Sequence, residues 1–292
     1  MIPDQNDTIL EHVKKYFCNY YESLLKPLGG THSEESLYGD QNWVNALKFI
    51  LYHLMFRGRK DKLSLKYSNF YWKHLGFDHR LTSEIVIDTK KKLDSYLSII
   101  SERQKDSNGV EIKAQEFANY FNSKITEKEE FKLNLKDIEM ISGLLNFQID
   151  RFKSQNDNII DYLLTFIKQG KLIDAYKELI GISQVGDKLA SFTLRDVVLL
   201  SNGDYKIELR PYDYLMLFPV DTWVKQGGNK ILRNNNEADD STLLLKIELI
   251  RACEETASIE KDPLSPLKLN AGIWYHYFNL NNRSSDSQKV DI

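Results

Sequence analysis

With 292 residues, 42% of them hydrophobic, the chain is long enough to bury a sizeable core as one large domain or two lobes. Its formal net charge of −3 and pI of about 6.1 argue against a nonspecific nucleic-acid binder, since phosphate neutralisation is the usual source of that affinity. Two cysteines, Cys18 and Cys253, exclude a disulfide framework and a four-cysteine iron–sulfur centre, and the six histidines, His74 and His79 among them, lack metal-ligand spacing.

The dominant period along the chain is helical. Residues 42–56 put Trp43, Ala46, Leu47, Ile50, Leu51, Leu54 and Met55 on one broad face, which predicts a core helix. The polar stretch from Ser101 to Gly109 reads as a linker. Residues 159–180 repeat the apolar stripe with Ile160, Leu163, Leu164, Ile167, Leu172, Ala175, Tyr176 and Leu179, and Lys168-Gln-Gly170 breaks it into two helices. A further helix is predicted over 188–200, with Leu189, Ala190, Phe192, Val197 and Val198 inward.

Asn202-Gly203-Asp204 and Gln226-Gly-Gly-Asn229 read as turns, and Tyr205-Lys-Ile-Glu-Leu209 alternates as a short strand does. Ser241 opens a helix to about residue 257, with Leu244, Leu245, Ile247, Leu249 and Ile250 mostly inward. Residues 281–292 have little to bury and read as a mobile tail. No basic-then-apolar leader follows Met1 and no apolar run reaches membrane-spanning length, so the expected location is the compartment of synthesis, with no membrane partner.

Two segments carry chemistry. Ile182-Ser-Gln-Val-Gly-Asp-Lys-Leu-Ala-Ser191 places Lys188 just after a glycine turn, and Phe218-Pro-Val-Asp-Thr-Trp-Val224 places Asp221 after an apolar run. The two residues stand 33 positions apart, so only tertiary folding can bring them together. Each also has a plain structural reading, Lys188 as a solvated residue at a helix start and Asp221 as a helix N-cap.

These segments resemble the helix-hairpin-helix DNA glycosylases, whose hairpin reads Leu-Pro-Gly-Val-Gly-x-Lys-x-Ala and is followed by a Val-Asp-Thr or Val-Asp-Val element. Val185, Gly186, Lys188, Ala190, Val220, Asp221 and Thr222 match; Ser183 replaces the usual proline and Gln184 the first glycine. The long connection between lysine and aspartate is closer to the archaeal 8-oxoguanine glycosylase branch than to the endonuclease III branch. The resemblance is specific over residues 172–224 and weaker over 241–279.

The resemblance implies a mainly α, two-lobed helical fold with a DNA-binding cleft between the lobes. On that reading residues 1–150 form an N-terminal helical region supplying one cleft wall, and 151–280 the catalytic region with its terminal helix returning to the cleft. It further implies base-excision repair with associated AP lyase activity, releasing an oxidised purine, 8-oxoguanine in the first instance, through a lysine Schiff base. In that chemistry Lys188 is the nucleophile, which attacks only as the neutral amine, and Asp221 stabilises cationic charge on the sugar and shuttles the proton.

The same resemblance assigns Gln184, Val185, Gly186 and Asp187 to a phosphate-binding hairpin, where backbone N–H groups at a helix start hold phosphate without reading a base. Trp274 and Tyr275 are candidates for the pocket of the flipped base, although an aromatic run on a helix also serves as core. Phe56 and Arg57 are candidates for the wedge that fills the gap left by that base. Basic clusters at Arg57, Arg59, Lys60, Lys62 and Lys66 and at Lys225, Lys230 and Arg233 offer a DNA-facing surface or a merely solvated one.

The expected partner is double-stranded DNA containing a damaged base, bound by a monomer in the cytoplasm and nucleoid if the source is a prokaryote. No metal and no iron–sulfur cluster are expected, and the resemblance admits a monovalent cation at the hairpin carbonyls. The alternatives are a non-catalytic helix-hairpin-helix DNA-binding protein and a glycosylase for another modified base.

Overall fold

In the computed structural model, the described residues are Tyr20 and residues 37–56, 61–77, 81–106, 111–121, 131–151, 157–201, 207–232, 242–260 and 265–287. They form α1 (Trp43–Leu54), α2 (Asp61–His74), α3 (Ser83–Asp106), α4 (Ala114–Tyr120), α5 (Leu135–Arg151), α6 (Ile159–Lys168), α7 (Leu172–Ile180), α8 (Asp187–Ser201), α9 (Pro211–Leu217), α10 (Thr222–Ile231), α11 (Thr242–Glu260) and α12 (Ser265–Ser287). Among the described residues the sheet is a single antiparallel pair, β1 (Ile112–Lys113) with β2 (Lys132–Leu133), in which Ile112 faces Leu133. The protein is therefore mainly α. No helix among the described residues is long and apolar enough to cross a membrane.

The chain divides into two compact units, each built from separate stretches of sequence. One comprises Glu35–Phe166 and Ile173–Ala190; the other comprises Met1–Glu34, Ile167–Leu172 and Ser191–Ile292.

In the first unit α3 lies along α5, and α1 packs on α2 and α5. The seven apolar residues predicted for the first helix are all buried, and Phe49 joins them. On α3 the buried side chains are Val86, Thr89, Leu93, Tyr96 and Ile100, a spacing of three or four that confines the core to one face. Its outer face is mostly polar, although Ile87 and Ile99 are exposed on it, and carries Lys90–Asp94 and Asp88–Lys92 ion pairs that each span one turn, at 2.5 and 2.9 Å. Residues 101–106 are accordingly helix rather than linker, because a solvated helical turn needs no apolar residue and no Gly or Pro occurs before Gly109.

In the second unit α12 packs on α10 and α11, and α10 on α11. Gln226-Gly-Gly-Asn229 is not a turn but the middle of α10. Both glycines are there for close packing: an added Cβ at Gly227 lies 2.4 Å from Ile273 Cγ2, and one at Gly228 lies 2.8 Å from Leu249 Cδ1. On α11 Leu245, Leu249 and Ile250 are buried, but Leu244 is 40% and Ile247 43% exposed, so the inward face is narrower than its sequence suggests. Ile207–Arg210 is not a strand, and the turn at 202–204 lies outside the described residues. Helix α12 continues to Ser287, where the sequence suggests a mobile tail from 281.

Candidate functional site

The α6–α7 break falls at Gly170, whose φ of 69° is the left-handed conformation glycine adopts without cost. From there α7 leads into a six-residue connection, residues 181–186, and α8. Gly181 N–H bonds to Lys177 O at 3.0 Å and Ile182 N–H to Leu179 O at 3.1 Å, closing the end of α7. Val185 N–H then bonds to Ile182 O at 3.0 Å, which makes residues 182–185 a β-turn.

Gln184, the third residue of that turn, has a φ of 65°. It is the conformation a type II turn requires at this position and the one glycine supplies most cheaply. Gln184 therefore adopts a glycine-like backbone. Its side chain is exposed and donates to Glu139 Oε2 on α5 at 2.8 Å.

A second contact presses the turn onto α5. Gly143 faces it so closely that a Cβ there lies 2.9 Å from Ser183 N. Ile182 and Val185 are buried beneath the turn, and Arg151 and Glu178 join α5 to α7 at 3.1 Å.

One expectation about the hairpin is corrected by this geometry. Val185 N–H is committed to Ile182 O and is not directed outward. The strained backbone sits at Gln184 and not at Gly186, whose φ is outside the left-handed region and whose missing side chain faces open space for 4 Å. Gly186 O accepts from Ala190 N–H at 3.1 Å, so Asp187 and Lys188 begin α8, where N–H groups precede the first intrahelical bond. Asp187 accepts from Tyr176 OH at 2.7 Å, and Lys188 is exposed.

Asp221 belongs to the other unit. It is the N-cap of α10: Oδ1 accepts from Trp223 N–H and Val224 N–H, both at 3.0 Å, and Oδ2 accepts from Trp274 Nε1–H at 3.1 Å. Trp274, on α12, is 7% exposed, with Phe192 and Tyr20 rings at 5.3 and 5.9 Å. Tyr275 is half-buried, its ring 5.8 Å from Tyr20.

Beside them lies a polar cluster that sequence reading missed. Arg195 is wholly buried and donates to Asp196 Oδ1 at 2.8 Å, Asn270 Oδ1 at 2.7 Å and the Tyr20 hydroxyl at 2.7 Å, while that hydroxyl donates to Asp196 Oδ2. Its guanidinium carbon stands 4.5 Å from the Phe192 ring centre. Burial pulls the Arg195 pKa down, but Asp196 and Tyr20 beside it raise it above its ordinary value, so the buried guanidinium stays charged. Asn270 Nδ2 donates to Pro219 O at 2.9 Å, two residues before Asp221. The available signal was Arg195-Asp196 inside the apolar run Phe192 to Leu200, since charges there are buried as a pair.

Of the other candidates, Phe56 is buried with its ring edge-on to Tyr52 at 4.9 Å, and Arg57 lies outside the described residues. Lys66 and Lys230 are exposed, with their ammonium groups 4.8 Å from the Phe131 ring and 5.1 Å from the Tyr277 ring. Among the described residues no group of three His, Cys, Asp or Glu side chains is placed to hold a metal ion.

No protein-family profile matches the chain, and no solved structure matches it. Over 69 residues, 24% of its length, it is 36% identical to the uncharacterized protein MJECL21 of Methanocaldococcus jannaschii. The match spans 15% of that protein.

Proposed function

We propose that this protein is a DNA glycosylase with AP lyase activity, of the helix-hairpin-helix type, that removes a damaged purine, 8-oxoguanine as the first substrate to test. The observation that carries the reading is the left-handed Gln184 in a turn between α7 and α8, two residues before Gly186 and four before Lys188. It supports the reading because Gln184, which stands where the resembled hairpin sequence has its first glycine, takes a backbone conformation that glycine adopts most cheaply.

In the proposed reaction Lys188 Nζ, as the neutral amine, forms a bond to the sugar carbon bearing the base. The base leaves with the electron pair of the broken glycosidic bond and takes up a proton. Ring opening turns the new carbon–nitrogen bond into an imine. Loss of a proton from the neighbouring sugar carbon then expels the 3′ phosphate, which nicks the strand. Asp221 supplies negative charge to the developing sugar cation and passes the amine proton on. The N–H groups at the start of α8 hold a phosphate and position the duplex.

The test is borohydride trapping on duplexes carrying 8-oxoguanine or an abasic site. Parental protein is expected to give a covalent adduct with both. Lys188→Gln is expected to give none while keeping much of its duplex affinity. Trapping that persists in Lys188→Gln overturns the nucleophile.

Asp221's capping of α10 favours a second reading, a non-catalytic helix-hairpin-helix DNA-binding protein in which the aspartate only starts a helix. That reading predicts duplex binding and no adduct on either substrate.

A further inference from the structure

Two residues on one face of α12 meet the chain at Asp221, Trp274 at its carboxylate and Asn270 at Pro219 O. Asp221 Oδ1 is fixed by the first N–H groups of α10, which leaves the plane of the carboxylate to be set by what meets Oδ2, because the terminal torsion of an aspartate is broad. The group that meets it is Trp274 Nε1–H. One helical turn earlier, Asn270 donates to Pro219 O in the strand of chain leading into Asp221, and the buried Arg195 holds the other end of the Asn270 amide.

We infer that Trp274 is a positioning residue: through its indole N–H it sets the orientation of the Asp221 carboxylate, with Asn270 fixing the backbone that delivers it. The inference rests on the glycosylase reading, in which Asp221 acts at the sugar. It gives Trp274 a role separate from base stacking, since its ring is spent on Phe192 and Tyr20. A carboxylate that turns away from the developing charge loses rate without losing affinity, as small misplacements cost about 10- to 100-fold.

Trp274→Phe keeps an aromatic ring against Phe192 and removes the N–H. Replacement of Trp274 by benzothienylalanine, which has sulfur in place of that N–H, keeps the bicyclic shape if the phenylalanine variant folds poorly. The readouts are the single-turnover rate of base release and adduct formation on an 8-oxoguanine duplex under borohydride, the dissociation constant for the same duplex, and the circular dichroism spectrum.

The expected result is a fall of about 10-fold or more in rate, unchanged affinity and helix content, and no further fall when the change is added to Asp221→Asn. Parental rate in both Trp274 variants, with Asp221→Asn impaired, overturns the positioning role and leaves the glycosylase reading standing. An equal further loss in the Asp221→Asn background also overturns it, because Trp274 then acts elsewhere. Parental rate in Asp221→Asn, or no adduct with the parental protein, removes the catalytic aspartate itself and the inference with it.

Discussion

At the scale of single residues, Tyr96 shows what burial without a partner does. Its ring lies 5.5 Å edge-on to Phe117 in the first unit, and its hydroxyl is buried with no hydrogen-bond partner among the described residues. Burial, reinforced by the nearby Glu116 carboxylate, pushes its pKa up to about 12. The unfolded chain ionises this tyrosine near pH 10, so its contribution to stability is intact below that value and is lost as pH rises towards 12. Tyr96→Phe is therefore expected to melt at the same temperature as the parent or higher at pH 8, since no hydrogen bond is lost, and to lose less stability between pH 10 and 12. Denaturant midpoints at pH 8 and 11.5 check both; an equal alkaline loss in the two proteins removes Tyr96 as its source. None of this is legible in sequence. A tyrosine on an apolar stripe reads as core, but whether its hydroxyl meets a partner depends on side chains distant in the chain. Lys188 and Asp221 stand out in the sequence as candidates because of their neighbours, whereas the contacts of Asn270 with Pro219 and of Trp274 with Asp221 form only when α12 returns to the start of α10.

At the scale of elements, most periodic apolar faces are legible in the sequence, and of the glycines only the break at Gly170. Apart from the half-buried Tyr176, the stripes of α1, α6, α7 and α8 are where the sequence places them, because a helix must bury one face and three or four apolar residues per two turns define it. A glycine, by contrast, serves three unlike purposes here. At Gly170 it supplies a left-handed break, at Gly143 it admits the backbone of Ser183, and at Gly227 it admits the side chains of α12. Only the first of these is local. Gly227→Ala brings a methyl to within 2.4 Å of Ile273 and 2.6 Å of Tyr277, both buried, so something in the α10–α12 contact must shift. Overpacking of this kind costs about 1–3 kcal/mol, against the few tenths to 1 kcal/mol that alanine gains over glycine inside a helix. A net fall in thermal stability is expected, and a rise would mean that α12 yields without strain.

At the scale of the whole molecule, the difficulty for a DNA-binding reading is charge. With 39 Lys and Arg against 42 Asp and Glu, the chain has no surplus of positive charge to spread over a duplex. Affinity must then come from a few contacts, and the salt dependence of binding separates their kinds. Each phosphate neutralised by a cation adds about −0.9 to the slope of log affinity against log salt, while a neutral N–H that holds a phosphate contributes affinity with little slope. Lys188→Gln is accordingly expected to flatten the slope by about 0.9 at most. Gly186 offers the complementary change, since its φ lies outside the left-handed region and a Cβ added there meets nothing among the described residues within 4 Å. Gly186→Leu leaves the fold and the total charge intact and obstructs only what approaches the start of α8. It is expected to lower affinity by the same factor for damaged and undamaged duplexes at every salt concentration, giving a line parallel to the parental one, because a phosphate contact carries no base information. Fluorescence anisotropy on both duplexes across a salt series, with circular dichroism to follow the helices, makes the measurement. A folded Gly186→Leu protein whose points fall on the parental line takes the turn at 181–186 out of the DNA interface, and Lys188 then has no duplex positioned for it to attack.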